Sequence, residues 1–336
     1  MLKNLAPWRV YETVQIGRNP GSADTYLRNV QQFIDYLISE NRSTDPASVS
    51  QHDIDDYLKA LYFRYNCKKN STRAQKLSSL RCFFEFLRYA GIVQKNPCAL
   101  IRSPRLTQRL PRIFSTDELA LIFSACDGSP MGLRDLALLK TIYASGIRKE
   151  EASNLSMEDI SDRGGYVRLK VKGKGYKERM VTLRNNPSKT LRLWMAYRAS
   201  IQTDHTALFI ALKKGRSVHE RLSPRHITNI LKKYAVLGGL PSADAFVHKL
   251  RATWATNLYD SGRDFCPHCR KAIEKVDLIE ICLLAGWKSP NTAMKYVAVS
   301  ERILNKTAIP DRRFNEIEKL IEKFKGGDDE GTDSRP

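Results

Sequence analysis

Apolar residues recur at intervals of three and four through the first hundred positions, a spacing that predicts amphipathic helices. One helix is predicted to begin with Ser22 as its cap, and Ser50 with Asp53 forms a capping-box pattern ahead of a second. A third is predicted to open at Asn70 or Ser71. Their apolar faces are expected to form one core: Tyr26, Val30, Phe33, Ile34 and Leu37; Ile54, Tyr57, Leu58 and Leu61; Leu77, Leu80, Phe83, Phe84 and Leu87.

After Ser115 the hydrophobic pattern predicts both helices and strands, and the letters STDE predict another capping box at its start. Helices are expected at about 116–126 and 132–144, followed by a β-hairpin with strands GYVRLKV and ERMVTL. The letters GKG place Lys174 at the tip of that hairpin, and helical patterns dominate from residue 188 onward. The expected fold class is mostly α with a small β-sheet.

A basic connector separates the two patterns. No acidic residue occurs between Phe86 and Thr116, and three prolines make a continuous helix unfavourable there. An extended segment in contact with a polyanion is favoured, and a merely solvated segment is the alternative. The basic residues of this stretch are Arg88, Lys95, Arg102, Arg105, Arg109 and Arg112.

Composition narrows the class of partner. The chain has 336 residues and a formal net charge of +20, of which residues 1–110 contribute a surplus of 8. A surplus of this size repels itself unless an anion offsets it, and nucleic acid is the commonest such partner. A basic protein without such a partner is the alternative. Because both halves are basic, two domains are expected to grip one polyanion.

Several features indicate an intracellular protein. There is no run of 18 apolar residues, and the N-terminus MLKNLAPWRV lacks the apolar core of a signal peptide. Seven scattered cysteines favour reduced thiols. We therefore expect a cytoplasmic, DNA-associated location.

Six scattered residues supply the groups needed to cut a phosphodiester with a tyrosine. Arginine forks match the paired oxygens of a phosphate, and an activated phenol can act as a nucleophile. Two of the six lie three apart on one predicted helix and so share a face. Glu151, three residues after the first arginine, is placed to hold that guanidinium. The six residues are Arg148, Lys174, His248, Arg251, Trp287 and Tyr296.

Other basic residues are candidates for contact with the DNA backbone. Three lie opposite the apolar face of the third helix, and solvent exposure alone is the alternative for them. The full candidate set is Arg73, Lys76, Arg81, Arg102, Arg105 and Arg109.

The segment DFCPHCRKAIEKVD contains a possible metal site. Cys266 and Cys269 have the spacing of zinc ligands, with His268 between them and Cys282 as the nearest further candidate. A structural zinc site normally has four ligands and no second CxxC exists here, so an inserted helix with free thiols is favoured. No cofactor is expected.

In combination, these motifs resemble the tyrosine recombinase (phage integrase) family, closest to Xer-type resolvases. The likeness runs from about residue 22 to 305 and rests on segments in the family's order: the connector, RDLALLKTIYASGIRKEEASNLSMEDI, VKGKGYKERMVTL, HKLRATWATNL and LAGWKSPNTAMKYVAV. Trp287 stands where many members have His, Ala252 where His is frequent, and Ala152 where Leu is usual. None of these changes removes a catalytic group.

The resemblance implies a domain plan and a fold. Residues 1–108 would be a helical, SAM-like core-DNA-binding domain with the basic linker, and 109–310 an α+β catalytic domain, the two forming a C-shaped clamp around DNA. Residues 311–336 would be a C-terminal helix and acidic tail exchanged between protomers. That helix carries an apolar stripe of Phe314, Ile317, Leu320, Ile321 and Phe324, for which packing on its own domain is the alternative.

The resemblance also implies a reaction. Tyr296 would attack the scissile phosphate to form a 3′-phosphotyrosyl bond, with Arg148 and Arg251 stabilising charge and Lys174 protonating the leaving oxygen. His248 would help with proton transfer, and Trp287 would donate a hydrogen bond. The expected function is site-specific DNA recombination or integration by a mobile genetic element or a chromosome resolver, in a synaptic tetramer with possible accessory proteins. A type IB topoisomerase and a non-catalytic DNA-binding protein remain the alternatives.

Overall fold

The computed structural model describes residues 1–106, 110–173, 178–212, 220–260, 276–287 and 289–297. The chain divides into two units, Met1–Arg109 and Leu110–Pro336. Within the described residues, no helix is both long and apolar enough to cross a membrane.

Unit 1 is helical. Its core is made by the predicted apolar faces together with Trp8, whose ring meets Phe83 edge-on at 5.0 Å. A π-helical turn, Tyr11–Gln15, follows the first helix. The helices are α1 (Leu5–Val10), α2 (Pro20–Ser39), α3 (Gln51–Phe63) and α4 (Asn70–Tyr89).

The starts of these helices test the predicted caps. The capping box of Ser50 and Asp53 is confirmed at the start of α3. The prediction of Ser22 as a cap is wrong, because α2 begins at Pro20 and the side chain of Asn19 accepts a hydrogen bond from the Gly21 amide at 3.0 Å. Proline suits the first turn of a helix, where its missing N–H has no partner to lose.

The basic connector packs on α4 inside unit 1. The guanidinium of Arg81 donates through Nε to the carbonyl of Cys98 (3.2 Å), through Nη1 to Ser103 Oγ (2.8 Å) and through Nη2 to the carbonyl of Ile101. Residues 101–106 have no regular secondary structure. One side chain of α4 thus satisfies several polar groups of the connector.

Unit 2 combines helices with one small sheet. Its core surrounds α6, which packs against α8 and α10. The helices are α5 (Thr116–Ser124), α6 (Pro130–Ser145), α7 (Lys149–Asn154), α8 (Asn185–Ala199), α9 (Pro224–Leu237), α10 (Val247–Asp260), α11 (Leu278–Ala285) and α12 (Pro290–Val297). The strands are β1 (Ile160–Asp162), β2 (Tyr166–Lys172) and β3 (Glu178–Arg184). The predicted class, mostly α with a small sheet, is confirmed.

The sheet is antiparallel in the order β1-β2-β3. The predicted hairpin is β2 and β3, with Val171 opposite Arg179 and Val167 opposite Leu183. The strand β1 was not predicted. The tip of the hairpin, with Lys174, lies outside the described residues.

Candidate active site

Two tight turns and three helices bring most of the predicted residues together. Gly146 caps the end of α6 and Gly286 caps the end of α11, both in left-handed backbone conformation (φ of +60° and +63°). Each turn reverses the chain just before a candidate side chain. Five of the six candidates meet in unit 2: Arg148 at the start of α7, His248 and Arg251 on α10, Trp287 after α11, and Tyr296 on α12. The sixth, Lys174, lies outside the described residues.

The phenol of Tyr296 lies inside this cluster. The residue is 7% exposed, and its hydroxyl is 2.9 Å from His248 Nε2. The indole of Trp287 stacks on the phenol, with centroids 5.0 Å apart and planes at 13°. From α10, Thr256 Oγ1 donates to the Tyr296 carbonyl at 3.2 Å. The phenol is therefore held between an indole and an imidazole, with its oxygen at the imidazole.

Arg251 is the most deeply buried charge of the site, at 1% exposed. Its Nη1 donates to the carbonyl of Gly146, and its Nη2 donates to the carbonyl of Ala285 at 2.6 Å. The guanidinium carbon lies 5.1 Å from the centre of the Trp287 ring. Among the described residues Nε has no hydrogen-bond partner. Burial, followed by the charge of Arg148, lowers the pKa of Arg251 to about 10, so the group remains charged at neutral pH.

Arg148 is fixed by Glu151, as its spacing predicted. Its Nη1 donates to Glu151 Oε1 at 2.8 Å, and its backbone N–H donates to Oε2 at 2.8 Å. Its Nη2 makes only a long contact, 3.4 Å, with the carbonyl of Gly286. The side chain is about one-third exposed, whereas that of Glu151 is 4% exposed. One edge of the Arg148 fork therefore faces the open part of the site.

Arg179 was not predicted from the sequence, yet it completes this arrangement. It donates from β3 to both oxygens of Glu151, at 2.7 Å and 3.1 Å, and to the carbonyl of Leu284 at 2.9 Å. The sequence did carry a signal. Arg179 precedes Val181 by two positions and Leu183 by four, so it occupies the inward face of its strand.

The site carries an excess of positive charge. Arg148 and Arg179 pair with one carboxylate, that of Glu151, and Arg251 lies near it without an ion pair, so these four residues carry a net charge of two positive units. Charges of one sign that are withdrawn from water destabilise one another unless an opposite charge is bound. The arrangement therefore favours binding of an anion, and paired N–H donors suit the oxygens of a phosphate.

The same surroundings set the protonation of the central pair. Burial raises the pKa of Tyr296 above its ordinary value, although Arg251 and Arg148 oppose this. Partial burial of the ring, followed by Arg251 and Arg148, lowers the pKa of His248 below 6.5. At neutral pH the phenol thus retains its proton, and the imidazole is neutral and able to accept one.

Sequence comparison assigns the chain to a family. The model of the phage integrase family matches residues 112–302, and the model of the phage integrase N-terminal SAM-like domain matches residues 12–90. The chain belongs to the phage integrase family. It is 32% identical over 289 residues to a tyrosine recombinase XerC of Syntrophus aciditrophicus, covering 82% of this chain and 86% of that protein. A XerC of Pelotomaculum thermopropionicum is 33% identical over 264 residues, covering 76% and 84%.

Solved tyrosine recombinases share the fold of this phage integrase family member. XerH bound to a palindromic difH substrate, in a post-cleavage complex, matches with a TM-score of 0.66 and 20% identity, covering 84% of this chain and 78% of that one. A lambda integrase (75–356) dimer bound to a COC′ core site matches with a TM-score of 0.63 and 17% identity, covering 88% and 94%. Of the three functions that the sequence left open, these relatives support site-specific recombination and not the other two.

The predicted DNA-backbone contacts of this integrase-family chain divide into two groups. Arg102 and Arg105 are exposed. The other three described candidates have partners within the protein: Arg81 holds the connector, Arg73 donates to Asn70 Oδ1 at 2.5 Å and lies over the Tyr62 ring, and Lys76 donates to Gln32 Oε1. Arg109 lies outside the described residues. Contact with DNA stays a prediction for all six.

The candidate metal ligands Cys266 and Cys269 lie outside the described residues, as does His268. Cys282 is described and buried, and its thiol lies 3.7 Å from the carbonyl of Ser289, to which it donates. Among the described residues, no group of three potential metal ligands lies together.

Proposed function

We propose that this chain cuts and rejoins DNA strands at specific sites, with Tyr296 as the nucleophile. The observation that carries the proposal is the hydroxyl of Tyr296, 2.9 Å from the imidazole of His248 and within the field of the Arg251 and Arg148 guanidinium groups. A phenol, a base and an anion site are the three requirements of phosphoryl transfer to tyrosine.

The scissile phosphate would occupy the positive site between Arg148 and Arg251. The exposed edge of the Arg148 fork is the donor left over for its oxygens, and the buried guanidinium of Arg251 would contribute its positive charge. Negative charge grows on the non-bridging oxygens in the transition state, and rigidly held donors stabilise it because they need not reorient. The carbonyls of Gly146 and Ala285 supply that rigidity for Arg251.

The proton transfers follow from the same geometry. His248 would accept the proton of Tyr296 as the phenolic oxygen bonds to phosphorus, and the bond to the 5′-oxygen would break. A 3′-phosphotyrosyl linkage and a 5′-hydroxyl result, and attack by a 5′-hydroxyl reverses the step and rejoins the strands. Lys174, on its hairpin, is our choice for protonating the leaving oxygen, and Trp287 would donate a hydrogen bond and pack the phenol.

Recombination joins two duplexes, so several copies of the chain would act together. A lambda integrase tetramer bound to a Holliday junction shares the fold, with a TM-score of 0.61. We extend this to a synaptic tetramer of this chain, with the C-terminal segment 311–336 exchanged between protomers. A need for accessory proteins and the cytoplasmic location both stay predictions.

Covalent trapping on nicked DNA tests the nucleophile. The target site would first be recovered by selection from random duplexes and placed in a nicked suicide substrate, from which the cleaved fragment diffuses away. Wild type is expected to form a covalent protein–DNA band. Tyr296→Phe is expected to bind the same DNA and form none, because the phenolic oxygen is missing.

Tyr197→Phe is the matched control, since Tyr197 lies on α8 and is 38% exposed. It is expected to form adduct as wild type does. A covalent band that persists in Tyr296→Phe would place the nucleophile elsewhere. Strand exchange between two defined duplexes then separates a recombinase from an enzyme that only relaxes supercoils.

A further inference from the structure

Arg179 connects three parts of the site. Its Nε donates to the carbonyl of Leu284, in the last turn before Gly286 and Trp287, and its two Nη groups donate to Glu151 on α7. It stands on β3 directly opposite Val171 of β2, one residue pair from the last described pair, Lys172 with Glu178. The side chain is 13% exposed, so these contacts are shielded from water.

The carboxylate of Glu151 is shared evenly between two arginines. Oε1 accepts from Arg148 Nη1 (2.8 Å) and Arg179 Nη1 (3.1 Å), and Oε2 accepts from the Arg148 amide (2.8 Å) and Arg179 Nη2 (2.7 Å). Burial acts to raise the pKa of Glu151, but hydrogen bonds, with that of Arg179 the largest, lower it below its ordinary value. The carboxylate is therefore ionised at neutral pH.

Because Glu151 pairs with Arg179 as well as with Arg148, it does not fully compensate the positive charge of Arg148. If Glu151 were paired with Arg148 alone, the two would cancel, and the site would retain only the charge of Arg251. With Arg179 present, the net charge of Arg148, Arg179, Arg251 and Glu151 is two positive units. Arg148 then keeps the Nη2 edge of its guanidinium for the phosphate.

We propose that Arg179 is a positioning residue for strand cleavage: it neutralises Glu151 so that this carboxylate orients Arg148 without cancelling its charge. The proposal rests on the function proposed above. The hydrogen-bond partners of the Arg179 side chain are Glu151 and the carbonyl of Leu284, so it would act through Glu151 and through the turn that precedes Trp287.

Neutralising Glu151 in a variant that already lacks the Arg179 charge distinguishes this role from a structural one. Arg179→Met removes the positive charge and keeps a long side chain, so the net charge of the cluster falls from two positive units to one. Single-turnover cleavage of the suicide substrate at saturating protein is expected to slow roughly 100-fold, the order found for one oxyanion donor. Adding Glu151→Gln restores the net charge of two positive units, so the double variant is expected to cleave roughly tenfold faster than Arg179→Met. In the wild-type background Glu151→Gln is expected to slow cleavage, because it weakens the hold on Arg148.

Arg184→Met is the matched control, because Arg184 is an exposed arginine on the same strand. Its cleavage rate is expected to stay within about twofold of wild type, as is typical of surface changes. If Arg179→Met does not fold, Arg179→Lys carries the test. It keeps the charge and is expected to cleave within about tenfold of wild type, since only the fork is lost.

The outcomes separate the two proposals. A wild type that forms no adduct overturns the proposed function and this inference with it. An active wild type with Arg179→Met equally active overturns the inference alone. So does a double variant slower than Arg179→Met, because a merely structural residue would make the second substitution add to the damage. If only Arg179→Lys folds, a rate reduced more than about 100-fold contradicts the charge argument.

Discussion

At the scale of residues, the proposed chemistry depends on a histidine and a tyrosine whose pKa values move apart. Burial raises the pKa of Tyr296 and lowers that of His248, and the two nearby arginines lower both. A neutral imidazole beside a protonated phenol is the starting state that base catalysis requires. The same arginines would stabilise the phenolate as it forms, because they favour the charged form of Tyr296.

In the proposed mechanism, the protonation state of His248 makes the cleavage rate dependent on pH. Because its pKa lies below 6.5, the imidazole is neutral and active at pH 7, and the rate should fall only as pH drops through that lowered pKa. Single-turnover cleavage, measured between about pH 5 and 8, should therefore be flat at the upper end and decline at the lower. His248→Gln should lose this decline and be slower by roughly 100-fold or more.

The control for this profile is His226→Gln, since His226 is an exposed histidine at the start of α9. It should keep both the rate and the acid decline. A decline that persists unchanged in His248→Gln would assign the titration to another group.

Contacts between residues close in sequence could be predicted, and contacts between residues far apart in sequence could not. Arg148 and Glu151 are three apart, so their ion pair could be inferred from spacing. Arg179 meets the same carboxylate from 28 positions away, across a strand pairing. Its inward register is visible in the sequence, but its pairing with Glu151 is not, because no local pattern links the two positions.

At the scale of elements, two left-handed turns hold Arg251. Gly146 ends α6 and Gly286 ends α11, and the carbonyls of Gly146 and Ala285 accept from the two ends of the buried fork. Glycine adopts this backbone region without the steric cost that a Cβ brings. Helix ends, rather than helix faces, therefore fix the deepest charge of the site.

A methyl group at the first of these turns should destabilise the fold. A Cβ at Gly146 would lie 2.2 Å from Trp254 Cε3. Backbone strain costs roughly 1–2 kcal/mol and overpacking roughly 1–3 kcal/mol. Gly146→Ala should therefore lower the free energy of unfolding by roughly 2–5 kcal/mol, measured by urea denaturation.

Comparing Gly164→Ala with Gly146→Ala separates the cost of backbone strain from the cost of overpacking. Gly164 also has a positive φ, +73°, but a Cβ there meets nothing within 4 Å among the described residues. Only the backbone cost of roughly 1–2 kcal/mol should remain. Equal losses in the two variants would contradict the claim that Trp254 packs tightly against the turn.

Helix boundaries were predicted correctly where a signal within a few residues determines them. The capping boxes at Ser50 and Ser115 were correct because each is complete within four residues. The start of α2 was misplaced because two polar residues near Pro20 compete as caps, and the structure uses Asn19. The strand β1 has three residues without alternation, and its extended conformation comes from pairing with β2, which no local pattern reveals.

At the scale of the whole molecule, the proposed function depends on net charge and on the assembly of several protomers. The net charge of +20 is shared by both halves of the chain. Such a surplus favours a long polyanion over a small anion, and binding should weaken steeply with salt as counterions are released. The proposed exchange of residues 311–336 would add contacts between protomers to this electrostatic attraction.

Truncation at Pro310 tests that exchange. The shortened chain should bind a single site with nearly wild-type affinity, since the basic surfaces before it are kept. It should lose cooperative filling of paired sites, because the apolar stripe after Pro310 is removed. Gel-shift titrations on one-site and two-site duplexes measure both, and unchanged cooperativity would show that the terminal segment packs on its own domain.

The attachment point in the covalent complex tests the central claim most directly. Wild-type protein trapped on the nicked substrate would be digested with protease, and the DNA-linked peptide identified by mass spectrometry. We predict one linked peptide, with the 3′-phosphate on the oxygen of Tyr296 and a free 5′-hydroxyl on the released strand. Linkage to any other residue, or a 5′-phosphate on the released strand, would contradict the account.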